Sequence, residues 1–78
     1  MTHDRIEINA EVMFGKPVIR GTRVTVEQVL RKLAAGRIPA EIVAEHPRLT
    51  VEDVYAAAAF AADYLAQEEI TLANGIRL

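Results

Sequence analysis

Two glycines and three cations stand close together in the stretch Gly15–Val26, "GKPVIRGTRVTV". Glycines beside a lysine can cradle a phosphate group, as in the P-loop, where a lysine directly follows the second conserved glycine. Here five residues separate the two glycines, and a threonine follows the second one. A phosphate cradle is therefore rejected. Three interpretations stay open: a nucleic-acid arm, a partner-docking segment, and a turn between two strands.

The rest of the chain offers few side chains for catalysis. It contains neither cysteine nor serine, so two usual nucleophiles are missing. Its two histidines, His3 and His46, stand far apart, and no H-x-x-x-H pair or acidic cluster has the spacing of a metal site. We therefore predict a protein that is not an enzyme and that uses no cofactor, no metal and no small-molecule substrate.

Charged residues are unevenly distributed along a chain whose net charge is −2. Residues 1–37 hold seven Lys and Arg against four Asp and Glu, whereas residues 38–78 hold two against seven. This asymmetry indicates either a basic face for an anionic partner or an ordinary solvated surface. In a nucleic-acid complex, the predicted phosphate contacts come from six cations: Lys16, Arg20, Arg23, Arg31, Lys32 and Arg37.

Capping residues and apolar spacing predict three helices, at about 26–35, 39–46 and 51–67. Thr25 with Gln28, and Thr50 with Asp53, have the spacing of capping boxes. Two strands, at about 5–8 and 18–24, are predicted before the first helix, with Gly21 supplying a turn or bulge. The predicted fold class is mainly α, a small three-helix bundle preceded by a short N-terminal β-hairpin.

Size and composition indicate one domain that needs a partner surface. A chain of 78 residues buries only about 60% of the surface that its unfolded form exposes. Thirteen of its apolar residues are alanines, and many lie in the third helix. Small side chains let another helix approach closely. We therefore predict a homodimer.

The same composition bears on location. The longest apolar run, residues 54–62, is too short to cross a bilayer. No hydrophobic signal core is present at the N-terminus, and the absence of cysteine suits a reducing compartment. We predict a cytoplasmic protein without membrane association.

The last residues, 68–78, form a predicted tail beyond a domain at 1–67. Four apolar residues flank the hairpin-favouring pair Asn74-Gly75. A lone two-stranded ribbon is marginal in water, so the tail is expected either to be flexible or to pair with a partner. The predicted partner-binding residues of the tail are Ile70, Leu72, Ile76 and Leu78.

Two blocks of the sequence, "GKPVIRGTRVTVEQVLRKLAAG" and "PRLTVEDVYAAAAFAADYL", resemble the prokaryotic family called domain of unknown function 433. The resemblance covers about residues 5–66. It implies a homeodomain-like, helix-turn-helix-like bundle and a VapB-like antitoxin that is commonly paired with a PIN-like ribonuclease toxin. The family motif falls on Gly15, Lys16, Pro17, Gly21, Thr22 and Arg23. Ile38 departs from the pattern, since relatives often have Ser or Thr there.

Two functions follow as hypotheses. In the first, the chain is the antitoxin of a type II toxin–antitoxin pair and grips its toxin with the tail and the acidic helical half. In the second, it is a stand-alone DNA-binding regulator that uses its cations on phosphates; autoregulation by an antitoxin would combine both. Glu52 and Asp53 make the third helix a poor recognition helix. In a purely structural interpretation of the motif, Gly21 bends the chain, Thr22 bonds to the backbone and Arg23 pairs with Glu7.

Overall fold

Three helices dominate the computed structural model, which describes residues 1–78. Helix α1 spans Val26–Ala34, α2 spans Pro39–Glu45 and α3 spans Val51–Leu65. Four two-residue strands accompany them: β1 (Thr2–His3), β2 (Ile6–Glu7), β3 (Val18–Ile19) and β4 (Thr71–Leu72). The predicted mainly α class, with three helices after a short strand pair, is confirmed.

Helices α1 and α3 begin at reciprocal capping boxes. At α1 the Gln28 amide donates to Thr25 Oγ1 at 3.0 Å, and the Thr25 amide donates to Gln28 Oε1 at 2.8 Å. At α3 the Asp53 amide donates to Thr50 Oγ1 at 3.2 Å, and the Thr50 amide donates to Asp53 Oδ2 at 2.9 Å. These bonds satisfy backbone donors that a helix leaves unpaired in its first turn, so both start points are defined locally.

Helix α3 ends two residues earlier than the sequence predicted. Gln67 takes a left-handed conformation with φ of +60°. The Gln67 amide donates to the Tyr64 carbonyl at 3.1 Å, and the Glu68 amide donates to the Asp63 carbonyl at 3.0 Å. This pair of bonds is a Schellman ending, in which glycine is the usual left-handed residue. Because glutamine rather than glycine occupies this position, the sequence does not predict where the helix ends.

The strands form two separate pairs. β2 and β3 are antiparallel, with Ile6 opposite Ile19 and Glu7 opposite Val18. The second predicted strand, at 18–24, is therefore shorter than expected, and residues after Ile19 form a turn. β1 and β4 are parallel, with Thr2 opposite Thr71, and so join the two ends of the chain.

The tail is folded, which differs from the flexible segment expected at 68–78. Residues 70–78 form the hairpin that Asn74-Gly75 favours: the Leu72 amide donates to the Ile76 carbonyl at 2.8 Å, and the Leu78 amide to the Ile70 carbonyl at 2.9 Å. Strand β1 pairs with this hairpin on its other side. No pattern in the sequence predicts β1, and this strand supplies the partner that a lone ribbon lacks.

One apolar core holds these elements together. Helix α3 contributes Val54, Ala57 and Phe60, and the other buried members come from the strands, α1, α2, the tail and the turn before α3: Ile6, Ile19, Val26, Val29, Ile42, Leu49, Ile70 and Leu72. The tail is therefore part of the domain rather than an appendage to it. None of the helices has the length and apolarity required to cross a bilayer.

Candidate functional site

The motif segment, Gly15–Val26, closes a tight loop whose hydrogen bonds are largely internal. The Ile19 amide donates to the Val24 carbonyl at 2.9 Å. Thr22 Oγ1 donates to the Ile19 carbonyl at 2.8 Å and accepts from the Val24 amide at 3.0 Å. Thr22 therefore bridges the two sides of the loop, as the structural interpretation of the motif proposes.

Gly21 forms the bend of this loop. Its φ is +76°, a conformation that side chains with a Cβ atom rarely adopt. Its amide donates to Glu7 Oε1 at 3.0 Å. Glu7 is thus used by the Gly21 backbone, and the ion pair expected between Glu7 and Arg23 is absent from the structure.

Two of the six predicted phosphate-binding cations share the carboxylate of Glu27. Arg31 Nε lies 3.0 Å from Glu27 Oε2, and Lys16 Nζ lies 3.3 Å from Glu27 Oε1. The hydrogen bond from Arg31, followed by the one from Lys16, lowers the pKa of Glu27 below its ordinary value of 4.5. This network joins the family motif to helix α1 at the surface.

Two more of the predicted cations meet a second carboxylate. Lys32 and Arg37 both pair with Glu45, which links the end of α1 to α2. Arg20 and Arg23, by contrast, are exposed on the motif loop and make no ion pair. The structure therefore divides the predicted basic surface into two clusters, in each of which two cations share one carboxylate, and one loop whose guanidinium groups have no ion-pair partner.

An open groove of about 770 Å³ lies between α1 and the second half of α3. Its polar rim consists of the Lys16–Glu27–Arg31 network, with Thr25 nearby. The remaining wall is mostly apolar and is formed by Ile8, Val26, Leu30, Ala34, Phe60, Ala61, Tyr64, Leu65 and Leu78. Grooves of this size and lining are typical of binding sites.

The turn that leads into the motif has an unusual backbone. Met13 and Phe14 have φ of +48° and +59°, and Gly15 follows with φ of +78°. Positive φ is unfavourable for a bulky residue, and such conformations concentrate at functional sites. The Phe14 side chain is 95% exposed, although the neighbouring Gly15 and Lys16 line the groove. The turn thus presents an aromatic ring to solvent next to an apolar surface.

The predicted toxin-binding residues of the tail separate into two groups. Ile70 and Leu72 are buried in the core and present no surface to a partner in this structure. Ile76 and Leu78 are exposed, and Leu78 lies in the groove wall. The first two residues are corrected to core positions because β1 and the hairpin cover them.

Reactive groups do not converge elsewhere in the molecule. No group of three or more His, Asp or Glu side chains is arranged to hold a metal ion. His3 Nε2 lies 2.7 Å from Asp63 Oδ2 and is nearly buried, while His46 Nε2 is buried without a hydrogen-bond partner. These histidines lie on separate elements, and neither lines the groove.

The sequence did not identify the largest exposed apolar residues of the groove. Leu65 is 80% exposed and Tyr64 is 60% exposed, and both lie at the end of the alanine-rich helix for which a dimer contact is predicted. The adjacent bulky residues Tyr64 and Leu65, in the last turn of an alanine-rich helix, could have drawn attention to this end of α3. The placement of the groove itself depends on how α1 packs against α3, which periodicity does not reveal.

Comparison with known proteins gives a family without an assigned activity. Residues 6–61 match the family described as "Protein of unknown function (DUF433)". No curated protein matches the chain. The chain is similar to the crystal structure of a DUF433 member protein from Anabaena variabilis ATCC 29413, with 31% identity and a TM-score of 0.75. That similarity covers 82% of this chain and 63% of the other. The chain belongs to the DUF433 family.

Proposed function

We propose that this chain is the antitoxin of a type II toxin–antitoxin pair and that it binds and neutralises a PIN-like ribonuclease. The observation that carries the proposal is the open apolar groove between α1 and α3, with Tyr64 and Leu65 exposed in its wall. Contiguous exposed apolar surface on a small domain marks a site for another protein. The kind of partner is taken from the family resemblance of the motif segment.

The charge of the chain supports the same partner. Residues 38–78 carry seven acidic and two basic side chains, and four of the acids, Glu41, Glu52, Glu68 and Glu69, are exposed and make no ion pair. A ribonuclease must attract RNA with cationic residues, so an acidic surface is complementary to that region and excludes the substrate. The proposed role is therefore binding rather than catalysis, and it places the chain in the cytoplasm beside its toxin.

Co-expression tests the proposal. The gene beside this one is expressed in a bacterial host with and without this chain, and growth, RNA cleavage and co-purification are measured. We expect a toxic ribonuclease that co-purifies with this chain and loses its activity in the complex. A neighbouring product that is toxic but neither binds this chain nor is relieved by it contradicts the proposal.

DNA binding is a second candidate, either alone or as autoregulation by the antitoxin. The observation that favours it is the pair of unneutralised cations, Arg20 and Arg23, on one exposed loop. Guanidinium groups suit phosphate contacts. Lys16, Arg31, Lys32 and Arg37 are weaker candidates because each already has a carboxylate partner.

A mobility-shift titration over a range of salt concentrations tests this candidate. Phosphate contacts weaken with salt by roughly one log unit per log unit for each phosphate neutralised. Arg20→Ala with Arg23→Ala is expected to abolish the shift, whereas Arg48→Ala, an exposed cation after α2, serves as the control. Binding that ignores salt, or that survives the double substitution, excludes this loop as a DNA contact.

The proposal also includes a homodimer. Ala58, Ala59 and Ala62 are exposed on α3, so a helix of a second copy can approach this face closely. Light scattering measures the mass of the free chain in solution. A mass equal to one chain, 8.6 kDa, at all concentrations excludes the dimer.

A further inference from the structure

We infer that the groove between α1 and α3 binds an amphipathic helix of the toxin, oriented by opposite charges at its two ends. The inference rests on the proposed function and identifies the surface that performs it. It replaces the tail as the main contact, since Ile70 and Leu72 are committed to the core. Three features of the groove lead to it: its walls, its charges and its neighbouring aromatic residues.

The walls favour a helix over an extended strand. They consist mostly of side chains from two helices, α1 and α3, together with Ile8, the Gly15–Pro17 segment and Leu78. A strand needs an open strand edge with free backbone groups, whereas a helix binds by packing apolar side chains between those of its neighbours. The cleft between α1 and α3 is the kind of surface on which a further helix packs.

One end of the groove is basic. Lys16 and Arg31 carry two positive charges, and the carboxylate of Glu27 neutralises one of them. All three side chains are exposed at the rim. An acidic group of a partner can therefore join this network without first breaking a buried contact.

A second place on this surface is acidic. A smaller depression next to the groove shares Tyr64 and Leu78 with it and is also lined by Glu68 and Glu69. Neither of these carboxylates makes an ion pair within the chain. The Met1 amino group donates to the main-chain carbonyl of Glu69 and offsets part of the charge. Excess positive charge at Lys16 and Arg31 and excess negative charge at Glu68 and Glu69 therefore lie at different places on one apolar surface, since none of the basic residues lines the acidic depression.

This arrangement defines the occupant. Its apolar face covers Leu30, Ala61 and Leu65, with acidic residues toward Lys16 and Arg31 and basic residues toward Glu68 and Glu69. The dipole of the bound helix favours the same orientation. Its partially negative C-terminus points to Lys16 and Arg31, and its partially positive N-terminus points to Glu68 and Glu69. Phe14, exposed next to the basic end, supplies an aromatic contact of the kind that dominates binding energy.

Matched tyrosines on α3 allow a direct test. Tyr64 lies in the groove and is 60% exposed, whereas Tyr55 lies outside it and is 61% exposed. The toxin carries the affinity tag, and the Kd of its complex is measured with wild type, Tyr64→Ala, Leu65→Asp and Tyr55→Ala. An unchanged urea midpoint verifies that each variant is folded. We expect about a tenfold or greater rise in Kd for the two groove variants and no change for Tyr55→Ala.

Charge reversal tests the orientation. Glu68→Lys with Glu69→Lys is expected to raise the Kd several-fold at low salt and less at high salt, because exposed charges are screened. The matched control is Glu52→Lys at the other end of α3. Equal affinity of the wild type and the double variant refutes the assignment of the acidic end.

The outcomes separate this inference from the function on which it rests. If the wild-type chain does not bind the toxin, both are wrong. If it binds and the groove variants bind equally well, the antitoxin function stands and the groove inference is wrong. If Leu65→Asp instead converts a dimer of the free chain into a monomer, the groove holds a second copy, and the inference is again overturned.

Discussion

His3 Nε2 lies 2.7 Å from Asp63 Oδ2, which ties the first strand to the last turns of α3 across 60 residues of sequence. The imidazole also packs edge-on against Phe60, with 5.7 Å between ring centroids. This contact holds β1 where it can pair with β4, and β4 in turn places Leu72 in the core. The His3–Asp63 contact thus supports the folded tail together with the bonds from the Thr71 amide to the Met1 carbonyl and from the Ala73 amide to the Ile6 carbonyl.

Asp63→Ala is expected to destabilise the domain by about 1–3 kcal/mol, because it leaves the buried imidazole of His3 without its partner. Urea unfolding measures the loss. Amide exchange at Thr71, whose amide donates to the Met1 carbonyl at 2.8 Å, is expected to accelerate with it. Glu52→Ala, on an exposed position of the same helix, is the control. Equal stability of both variants would show that the His3 contact is not needed to hold β1.

Leu72 and Leu78 are two leucines of the tail that differ in burial, so the same substitution at each position tests whether the tail is folded. Leu72 is 2% exposed and Leu78 is 48% exposed. Leu72→Ala is expected to cost about 2–5 kcal/mol as a core truncation, whereas Leu78→Ala costs much less. Denaturant midpoints of the two variants give the comparison. A flexible tail predicts no effect from either substitution.

Gly21→Ala measures the energetic cost of placing a side chain at the positive φ of the motif loop. A Cβ at this position would meet no atom within 4 Å, so its cost comes from the φ of +76° alone. We expect a loss of about 1–2 kcal/mol in the free energy of unfolding. Gly21→Asn is the matched control, because asparagine tolerates this conformation better and is expected to lose less. If both substitutions are neutral, the loop relaxes and the glycine is present for another reason.

Glu27 gives a pH-dependent prediction. Its pKa is lowered in the folded state by Arg31 and Lys16, so the folded chain releases this proton more readily than the unfolded chain. The stabilisation is therefore present above pH 4.5 and is lost as the pH falls through the lower folded value. We expect wild type to exceed Glu27→Gln slightly in stability at neutral pH and to equal it in strong acid. Thermal melts of both proteins across this range make the measurement.

One outcome of the melts of wild type and Glu27→Gln would contradict the prediction. A difference that grows on acidification would mean that the Glu27 carboxylate is repelled in the folded state, against the pairing with Arg31 and Lys16. The effect is small because all three side chains are exposed and solvent screens the pairs.

Local chemistry explains the part of the fold that the sequence predicts. Thr25 and Thr50 begin their helices through capping boxes with residues three positions later, and this pattern is legible without any tertiary information. The Asn74-Gly75 hairpin belongs to the same class of signals. The family motif also marks the loop whose bend is made by Gly21.

Long-range pairing explains what the sequence does not predict. β1 is only two residues long, and its partner Thr71 is distant in sequence, so no periodic pattern marks it. The pairing of Lys16 with Glu27, and of Lys32 and Arg37 with Glu45, likewise depends on how separate segments pack, whereas Arg31 and Glu27 are four residues apart on one helix. The groove arises from the same packing, and for this reason the sequence does not predict that Tyr64 and Leu65 line it.

The parallel pair β1–β4 brings the two chain ends to one corner of the molecule. Met1 bonds to Glu69 and Thr71, and Leu78 bonds to Ile70 between them. Termini so close together permit circular permutation: a short glycine linker can join residue 78 to residue 1, and a new opening can be cut at the exposed Pro47–Arg48 step between α2 and α3. The order of the elements along the polypeptide is therefore separable from their arrangement in space.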